Sequence, residues 1–339
     1  DLWFNGRLAV NLIVPSNVLL YAHEYLRVIF GGILCTMAYN IAASILRSLG
    51  DSRTPLYFLI LSSFLNIVLD IFFIATLHMG TAGAAWATVL SQGISALLCF
   101  WYMFHNYNNL RLSIRDLYPD PYRILCMIQS GIPMALNQTV TAFGIMILQS
   151  GINQFGSSVM AAYTAASKLE SLVMQPMIAL GSGISTYCAQ NIGARKTKRI
   201  FVGVRSTMLL SLGAAILGMA LYGIASKAIL RIFLSDPSPE MVHYALQYLY
   251  TSVWFLLFLA WIFLFRNALV GLGNGLITII GGVAELLCRF LCIHFLLQPF
   301  GFWCICLTNP ITWIVACSLF CGFYFRWEHQ QKHCSKSAR

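Results

Sequence analysis

Three residues on two successive apolar stretches have the types and spacing of a hard-cation or proton site. Asn66 and Asp70 are one helical turn apart, and Thr88 lies on the next stretch after a short link. If both stretches are helices centred in a membrane, Asp70 and Thr88 lie at about the same depth, roughly 6 Å from the midplane. Carboxylate, carboxamide and hydroxyl oxygens suit hard cations. Alternatively, Asn66 and Thr88 only satisfy a buried Asp70 as interhelical hydrogen-bonding partners.

Four further ionisable residues lie inside apolar stretches, where each costs roughly 2.5–3.5 kcal/mol to insert. Glu285 and Arg289 are four positions apart with the acid first, so we predict a structural ion pair on one helix. Lys168 and Glu170 are two positions apart and therefore cannot simply neutralise each other. We expect one of the two to face a central cavity and the other its own helical bundle.

Polar side chains alternate with Met around Lys168 and Glu170. Met repacks easily, so this mixture predicts a lining for varied amphipathic ligands, although ordinary helix packing explains any single member equally well. The predicted substrate-cavity residues are Thr141, Gln138, Gln149, Tyr163, Lys168, Glu170, Met174 and Gln175.

The composition indicates that these residues are positioned by membrane helices. Of 339 residues, 59% are hydrophobic and 9% charged, which excludes an ordinary soluble domain, where roughly 25% are charged. The net charge of +10 is not arranged as a basic stripe with interleaved aromatics, so no nucleic-acid partner is expected.

The 11 Cys are dispersed, and no His or carboxylate lies at a spacing that would complete a set of metal ligands with them. We therefore interpret them as small hydrophobic residues and predict no metal site apart from Na⁺.

Nine stretches are long enough to span a bilayer, which needs about 20 apolar residues. Their approximate ranges are 26–46, 55–77, 81–103, 132–152, 159–190, 201–230, 242–266, 276–297 and 302–325. If the intervening loops alternate sides, 15 Lys and Arg fall on one side and four on the other. Cytoplasmic loops accumulate positive charge, so this split predicts a cytoplasmic C-terminus and at least one helix before the first complete one.

An internal repeat predicts two similar halves. A shift of 223 positions aligns Leu49-Gly50-Asp51 with Leu272-Gly273-Asn274, and a shift of 217 aligns Ser91-Gln92 with Thr308-Asn309. The copies share one membrane orientation, as in transporters whose halves are related by an axis along the membrane normal. If both halves have the same length, about a hundred residues are expected upstream.

The repeat and the loops predict four segments. They are a first domain 1–103, a linker 104–123, a second domain 124–325 and a cytoplasmic tail 326–339. The cation site is not duplicated, because Asp70 and Thr88 align with Ile293 and Ile305.

Several short runs resemble the multidrug and toxic compound extrusion (MATE) family over roughly residues 20–325. They are LRSLGDSRTP at 46–55, NIVLD at 66–70, GAAWAT at 83–88, AAYTAASK at 161–168 and QNIGA at 190–194. The resemblance implies an all-α membrane protein of twelve helices in two six-helix bundles related by a pseudo-twofold axis. Nine helices are present here and about three are expected to be missing at the N-terminus.

The resemblance also implies export of organic cations in exchange for Na⁺ or H⁺. Asn66, Asp70 and Thr88 match three of the family's cation-site residues, and the fourth, an Asp on the first helix, would lie upstream. One branch of the family carries acids on the seventh and tenth helices, where this sequence has Thr141 and an acid-free segment 242–266. We therefore expect coupling at Asp70 rather than in the second half.

These observations predict a bacterial exporter of small amphipathic compounds that spans the inner membrane several times. We expect it to be a monomer embedded in lipid. We expect no cofactor other than the coupling ion, and no enzymatic activity. A flippase for a lipid-linked precursor is one alternative. It would require a strongly basic cavity, for which the chain offers Lys168 and Arg289. An inactive fragment without a transport cycle is another.

Overall fold

The computed structural model describes residues 19–107, 118–233 and 238–337, and within these ranges the only regular structure is helical. Residues 1–18 of the first predicted domain, 108–117 of the predicted linker and 338–339 of the predicted tail lie outside the described residues. The chain divides into two compact units, one ending at Pro119 (unit 1) and one beginning at Asp120 (unit 2), and the division falls within the predicted linker.

The described part of unit 1, residues 19–107 and 118–119, contains four helices. They are α1 (Leu19–Gly31), α2 (Ile33–Ser48), α3 (Arg53–Ile71) and α4 (Gly80–Asn106). The first two meet at a bend of 47°, and α3 continues into a π-helical turn over Phe72–Thr76. Helix α4 packs against the other three, so it is the central helix of the unit.

The turn between α2 and α3 is built by side-chain hydrogen bonds. Gly50 adopts a φ of 92°, in the left-handed region that favours glycine. The Asp51 carboxylate then accepts hydrogen bonds from the backbone N–H groups of Arg53 and Thr54, at 3.2 and 3.0 Å. These are the first N–H groups of α3, which have no partner within the helix, so Asp51 helps to start it.

Within residues 120–233 and 238–337, unit 2 contains eight helices, and two pairs of them are joined by short non-α turns. They are α5 (Pro121–Asn153), α6 (Ser157–Gly193), α7 (Thr197–Phe233), α8 (Pro239–Ser252), α9 (Leu256–Gly271), α10 (Gly275–Leu291), α11 (Leu297–Phe300) and α12 (Phe302–Ser337). A 3₁₀ turn over Val253–Phe255 joins α8 to α9, and a π-helical turn over Cys292–Leu296 joins α10 to α11. Asp120 and Ser238 cap α5 and α8 through their side chains.

Helix α6 lies at the centre of unit 2, in contact with α7, α8 and α9, while α10 packs against α5 and α12. The buried apolar core includes Leu169, Tyr222, Tyr248 and Phe265. Helices α6 and α9 approach so closely at Gly271 that an added Cβ would lie 2.2 Å from the backbone oxygen of Ser185.

All nine predicted stretches lie on helices, and the stretch 242–266 covers both α8 and α9. Seven helical spans of the described chain are long and apolar enough to cross a membrane, or eight if the bent pair α1–α2 forms one span. Helix α6, which carries the predicted stretch 159–190, is long enough but too polar to meet the same criterion. Residues 326–337 of the predicted tail continue α12 as helix.

Candidate ion-binding and substrate-binding sites

Two interhelical hydrogen bonds determine how α3 and α4 lie against each other. The Ser95 hydroxyl donates to the backbone oxygen of Phe58 at 3.2 Å, and the Asn66 side-chain amide donates to the Thr88 hydroxyl at 3.4 Å. Thr88 in turn donates to the backbone oxygen of Ala84 at 3.0 Å. The polar faces of the two helices therefore meet at Asn66 and Thr88.

Asp70 lies one turn further along α3 than Asn66, about 6 Å away along the helix axis. The antiparallel register places it at the level of Ala84, so the expectation that Asp70 and Thr88 share one depth was wrong by about one turn. The short link between Thr76 and Gly80 sets the register of this antiparallel pair, so matching the centres of the two apolar stretches misplaced Thr88.

The Asp70 carboxylate has a buried oxygen with no hydrogen-bonding partner. Its Oδ1 atom is shielded from solvent and receives no donor within the part of the chain that the structure describes. A buried carboxylate oxygen without a donor costs free energy, and that cost is relieved by a proton or by a cation. Asn66 and Thr88 bind each other rather than Asp70. These contacts therefore do not support the interpretation in which both only satisfy the Asp70 carboxylate.

Gln92 was not identified from the sequence. Its Oε1 atom is also buried and lacks a donor among the described residues. It lies one turn beyond Thr88 on α4, on the side away from Asp70, so the depths of Gln92 and Asp70 differ by about two turns, or roughly 12 Å. One ion cannot bind both side chains in this arrangement. The described residues also contain no group of three His, Cys, Asp or Glu that could hold a metal ion.

The predicted ion pair of unit 2 is present as a contact between buried side chains. Arg289 Nη2 lies 3.7 Å from Glu285 Oε2 on α10, and both residues are more than nine-tenths buried. The Nε and Nη1 atoms of Arg289 have no hydrogen-bonding partner among the described residues. Gly144 of α5 lies against this guanidinium, since a Cβ there would be 2.7 Å from Nη1.

The eight predicted substrate-cavity residues lie on α5 and α6, but they occupy different environments. Gln138, Lys168 and Gln175 are exposed on unit 2, whereas Thr141, Gln149, Tyr163 and Met174 are partly buried. Gln149 donates to the Asn153 side chain, and Thr141 donates to the backbone oxygen of Asn137. Lys168 and Glu170 face different directions, as their spacing indicates, and Glu170 is the buried one.

Glu170 belongs to a buried polar network inside unit 2. The Tyr248 hydroxyl donates to Glu170 Oε2 at 2.5 Å, and the Asn309 amide donates to the same hydroxyl at 2.8 Å. The Tyr163 ring contacts that of Tyr248 edge-on, with centroids 5.0 Å apart. Sequence reasoning missed Tyr248 and Asn309 as functional candidates. One signal for them exists, since the repeat shifts align both with polar residues, Tyr25 and Gln92.

A separate groove on unit 2 has an aromatic lining. It encloses about 870 Å³ between α8, the 3₁₀ turn and the start of α12, and includes His243, Tyr244, Trp254 and Phe302. The eight predicted substrate residues do not contribute to it. The groove is therefore distinct from the polar surface that the sequence indicated.

Comparison with known proteins places these features in a family. The MatE family model matches residues 2–72 and 133–300. The chain is 32% identical over 248 residues to the "Probable multidrug resistance protein YpnP" of Bacillus subtilis (strain 168), an alignment that covers 73% of this chain and 55% of the relative. The chain thus spans about half the length of that curated relative.

Solved structures support the same fold. A crystal structure of MATE in the bent conformation superposes with a TM-score of 0.86 at 20% identity, covering 99% of this chain and 75% of the other. An outward-facing multidrug resistance MATE family transporter of the MOP superfamily gives 0.85 at 22% identity, covering 95% and 73%. The expected all-helical membrane fold is confirmed, and the chain belongs to the MatE family of multidrug and toxic compound extrusion transporters.

Proposed function

We propose that the protein containing this chain is a secondary-active exporter of small amphipathic, often cationic compounds, and that it couples their export to inward flow of a cation at Asp70. The observation that carries the proposal is the buried, donor-free Oδ1 atom of Asp70 in a membrane helix, one turn from the Asn66–Thr88 pair. Family membership supports transport as the activity.

Asp70 can respond to an ion because no Lys or Arg among the described residues forms an ion pair with its carboxylate. An ionisable group within a membrane helix is retained only where it has a role, since its insertion costs roughly 2.5–3.5 kcal/mol. Binding of a proton or Na⁺ cancels the charge and so changes the free energy of unit 1. This change can bias the outward-open and inward-open populations only if the ion binds one state more tightly than the other.

The membrane potential can supply the free energy for export. Moving one charge through 100 mV releases about 2.3 kcal/mol. A proton needs a single oxygen, which Asp70 offers by itself, whereas Na⁺ needs several oxygen ligands. Thr88 and Asn66 are the nearest polar groups along the shared helix faces, and we assign them a supporting role for either ion.

The substrate class follows from the mixed lining of α5 and α6. Exposed Gln138 and Gln175 and the partly buried Gln149 supply hydrogen-bonding groups between apolar side chains. The relative YpnP is named as a probable multidrug resistance protein, which favours a broad substrate range over a single cargo. We further propose a bacterial inner-membrane location with a cytoplasmic C-terminus, which rests on the asymmetry of the Lys and Arg positions.

Dye efflux from cells and from proteoliposomes tests this assignment. The complete protein is reconstituted with ethidium, and Na⁺ and pH gradients are imposed separately. We expect one gradient to drive efflux, and Asp70→Asn to abolish the driven component while membrane insertion is unchanged. Asp120→Asn is the matched control, because Asn still caps α5 at this exposed position. Wild-type efflux by Asp70→Asn would refute the role of Asp70.

A further inference from the structure

A second groove of unit 2 runs between α6 and α7. It encloses about 810 Å³, within the range of roughly 300–1,000 Å³ that is typical of ligand sites. Most of its lining is apolar or small, and it includes Ala179, Gly183 and Ile184 of α6 and Val202, Gly203 and Leu210 of α7. None of the candidate residues described above lines it, so the groove is separate from the ion and substrate sites.

The groove is about as long as one leaflet of a bilayer is thick. Its lining extends from Val202 to Leu210 on α7 and from Tyr187 back to Pro176 on α6. At 1.5 Å per residue these two stretches measure roughly 12 and 17 Å. One leaflet contributes half of a hydrocarbon core of about 30 Å. The groove therefore has the length to hold an extended acyl chain.

Tyr187 closes the end of the groove that lies nearest the turn between the two helices. Its hydroxyl donates a hydrogen bond to the backbone oxygen of Arg199 at 3.2 Å. Its ring lies so close to Gly203 that an added Cβ there would be 2.2 Å from Cε1. Tyr is enriched at the boundary between the apolar core and the lipid headgroups. The position of Tyr187 thus indicates where the groove reaches the membrane surface.

Four basic residues lie beyond Tyr187, where the chain passes from α6 to α7. They are Arg195, Lys196, Lys198 and Arg199. All four are exposed, and none forms an ion pair with an acid of the described chain. The sequence contains no Asp or Glu between Glu170 and Asp236. On the neighbouring helix α12, Glu328 pairs with Arg205 and Lys332 instead.

Arg199 lies on the face of α7 that lines the groove. Val202 and Gly203 follow it by three and four positions, a spacing that places residues on one face of a helix. Long side chains on a helix lean towards its N-terminus, so the guanidinium extends towards the turn and away from the apolar lining. Lys198 precedes Val202 by four positions and lies beside the same groove. One end of the groove therefore has a positively charged rim.

An anionic phospholipid has the chemistry that fits both parts of this surface. Its acyl chain is apolar, and its phosphate accepts charge-assisted hydrogen bonds from guanidinium and ammonium groups. Basic pockets between membrane helices bind the headgroups of such lipids. A zwitterionic lipid carries a cation next to its phosphate, which the basic rim repels, and an organic cation is disfavoured for the same reason.

We propose that the groove between α6 and α7 binds one anionic phospholipid, with an acyl chain along the groove and the phosphate at Arg199 and Lys198. The bound lipid joins the two helices and stabilises unit 2, because it binds the folded chain and not the unfolded one. This site does not involve Asp70 and is a property of the chain beyond the proposed ion coupling.

Lipid titration of the complete protein tests this proposal. The protein is purified and delipidated in detergent, and phosphatidylglycerol or phosphatidylcholine with the same acyl chains is added. Native mass spectrometry gives the affinity of each bound lipid, and thermal unfolding reports the stabilisation. We expect one phosphatidylglycerol to bind more tightly than phosphatidylcholine and to raise the melting temperature more.

Arg199→Gln should weaken the binding of phosphatidylglycerol about fivefold, as expected for the loss of one basic group near an anionic lipid. The hydrogen bond from Tyr187 goes to the backbone at this position, so the variant keeps it. Arg123→Gln is the matched control, because it removes the same charge from an exposed position of α5 outside the groove. Equal affinities in the two variants would overturn the phosphate site, and equal binding of both lipids by the wild type would overturn the preference for an anionic one.

Filling the groove tests the position of the acyl chain. Gly183 lines the groove, and an added Cβ there meets nothing within 4 Å, so Leu can extend into the space. Gly183→Leu should lower the affinity for phosphatidylglycerol although all basic residues remain. Gly223→Leu is the control, at an exposed position of α7 outside the groove where a Cβ also meets nothing within 4 Å. Wild-type affinity in Gly183→Leu would show that the basic residues bind phosphate without a chain in the groove, and would overturn the proposal.

The outcomes separate this lipid site from the proposed function. Asp70→Asn should bind phosphatidylglycerol as the wild type does, even where it no longer couples efflux to an ion. A groove without preference for the anionic lipid, with driven efflux abolished in Asp70→Asn, would overturn the lipid site alone. A wild-type protein that binds phosphatidylglycerol as expected but exports no ethidium would remove the exporter assignment and leave the lipid site intact.

Discussion

The side-chain amide of Asn66 donates a hydrogen bond to the hydroxyl of Thr88 across the contact between α3 and α4, at 3.4 Å. This bond joins two residues 22 positions apart and sets the register of the helices that carry Asp70. It also leaves the buried Oδ1 atom of Asp70 without a donor in the described chain. The pair and the free carboxylate together define the candidate ion site of unit 1.

Replacing Thr88 by Val should weaken ion coupling without abolishing it. The change removes the hydroxyl and leaves the Asn66 amide unpaired, a loss of about 1 kcal/mol that corresponds to roughly a fivefold higher ion concentration for half-maximal efflux. Thr88→Ser keeps the hydroxyl and should behave as the wild type. Ethidium efflux at graded Na⁺ or proton concentrations measures the shift. Equal curves for Val and Thr would exclude Thr88 from the site.

Removing one partner of the Glu285–Arg289 pair should destabilise unit 2 strongly. Arg289→Met leaves the buried Glu285 without its ion-pair contact, and losing one member of such a pair costs about 3–5 kcal/mol. The double variant Glu285→Leu/Arg289→Met replaces both by apolar groups and should recover most of the stability. Thermal unfolding in detergent distinguishes the two variants. If the single variant is as stable as the wild type, the pair has no structural role.

Gly271→Ala should destabilise the contact between α6 and α9. The added Cβ would lie 2.2 Å from the backbone oxygen of Ser185, which cannot move aside as a flexible side chain would, so we expect a loss of about 1–3 kcal/mol. Gly213→Ala on α7 is the matched control, because a Cβ there meets nothing within 4 Å. That change should be neutral or stabilising, since Ala favours helix by about 1 kcal/mol. Equal melting temperatures for the two variants would contradict the close approach.

The turn before α3 should lose stability in acid. Partial burial raises the pKa of Asp51, but hydrogen bonds from Thr54, Arg53 and the Tyr107 hydroxyl outweigh this effect, so the pKa lies below its ordinary value of 3.8. Because the pKa is lowered in the folded state, the carboxylate contributes its full stabilisation at pH values above the ordinary pKa. This contribution is lost as the pH falls through the pKa of the folded state.

The Asp51→Asn variant isolates this contribution. Asn lacks the charge but can still accept hydrogen bonds from the backbone, so the wild type should melt at a higher temperature at pH 7, and the difference should shrink towards pH 3. Melting curves at intermediate pH values locate the transition. A difference that grows on acidification would show the opposite sign of the pKa shift.

Much of the architecture follows from the sequence alone. Every predicted apolar stretch lies on a helix, because a membrane-spanning segment must satisfy its backbone hydrogen bonds internally. The sequence also identified Asp70, and it identified the i, i+4 pair of Glu285 and Arg289 because one helix is enough to bring residues at that spacing together.

Contacts between helices were decided by the tertiary structure. Thr88 binds Asn66 and not Asp70, because the short link before α4 sets the register of the antiparallel pair. Glu170 accepts a hydrogen bond from Tyr248, 78 positions away on α8, and Tyr248 in turn accepts one from Asn309 on α12. Membrane helices are apolar on most faces, so hydropathy does not indicate which faces will meet. Packing between side chains selects them, and it gave Glu170 a neutral partner and left Asp70 Oδ1 without a donor among the described residues.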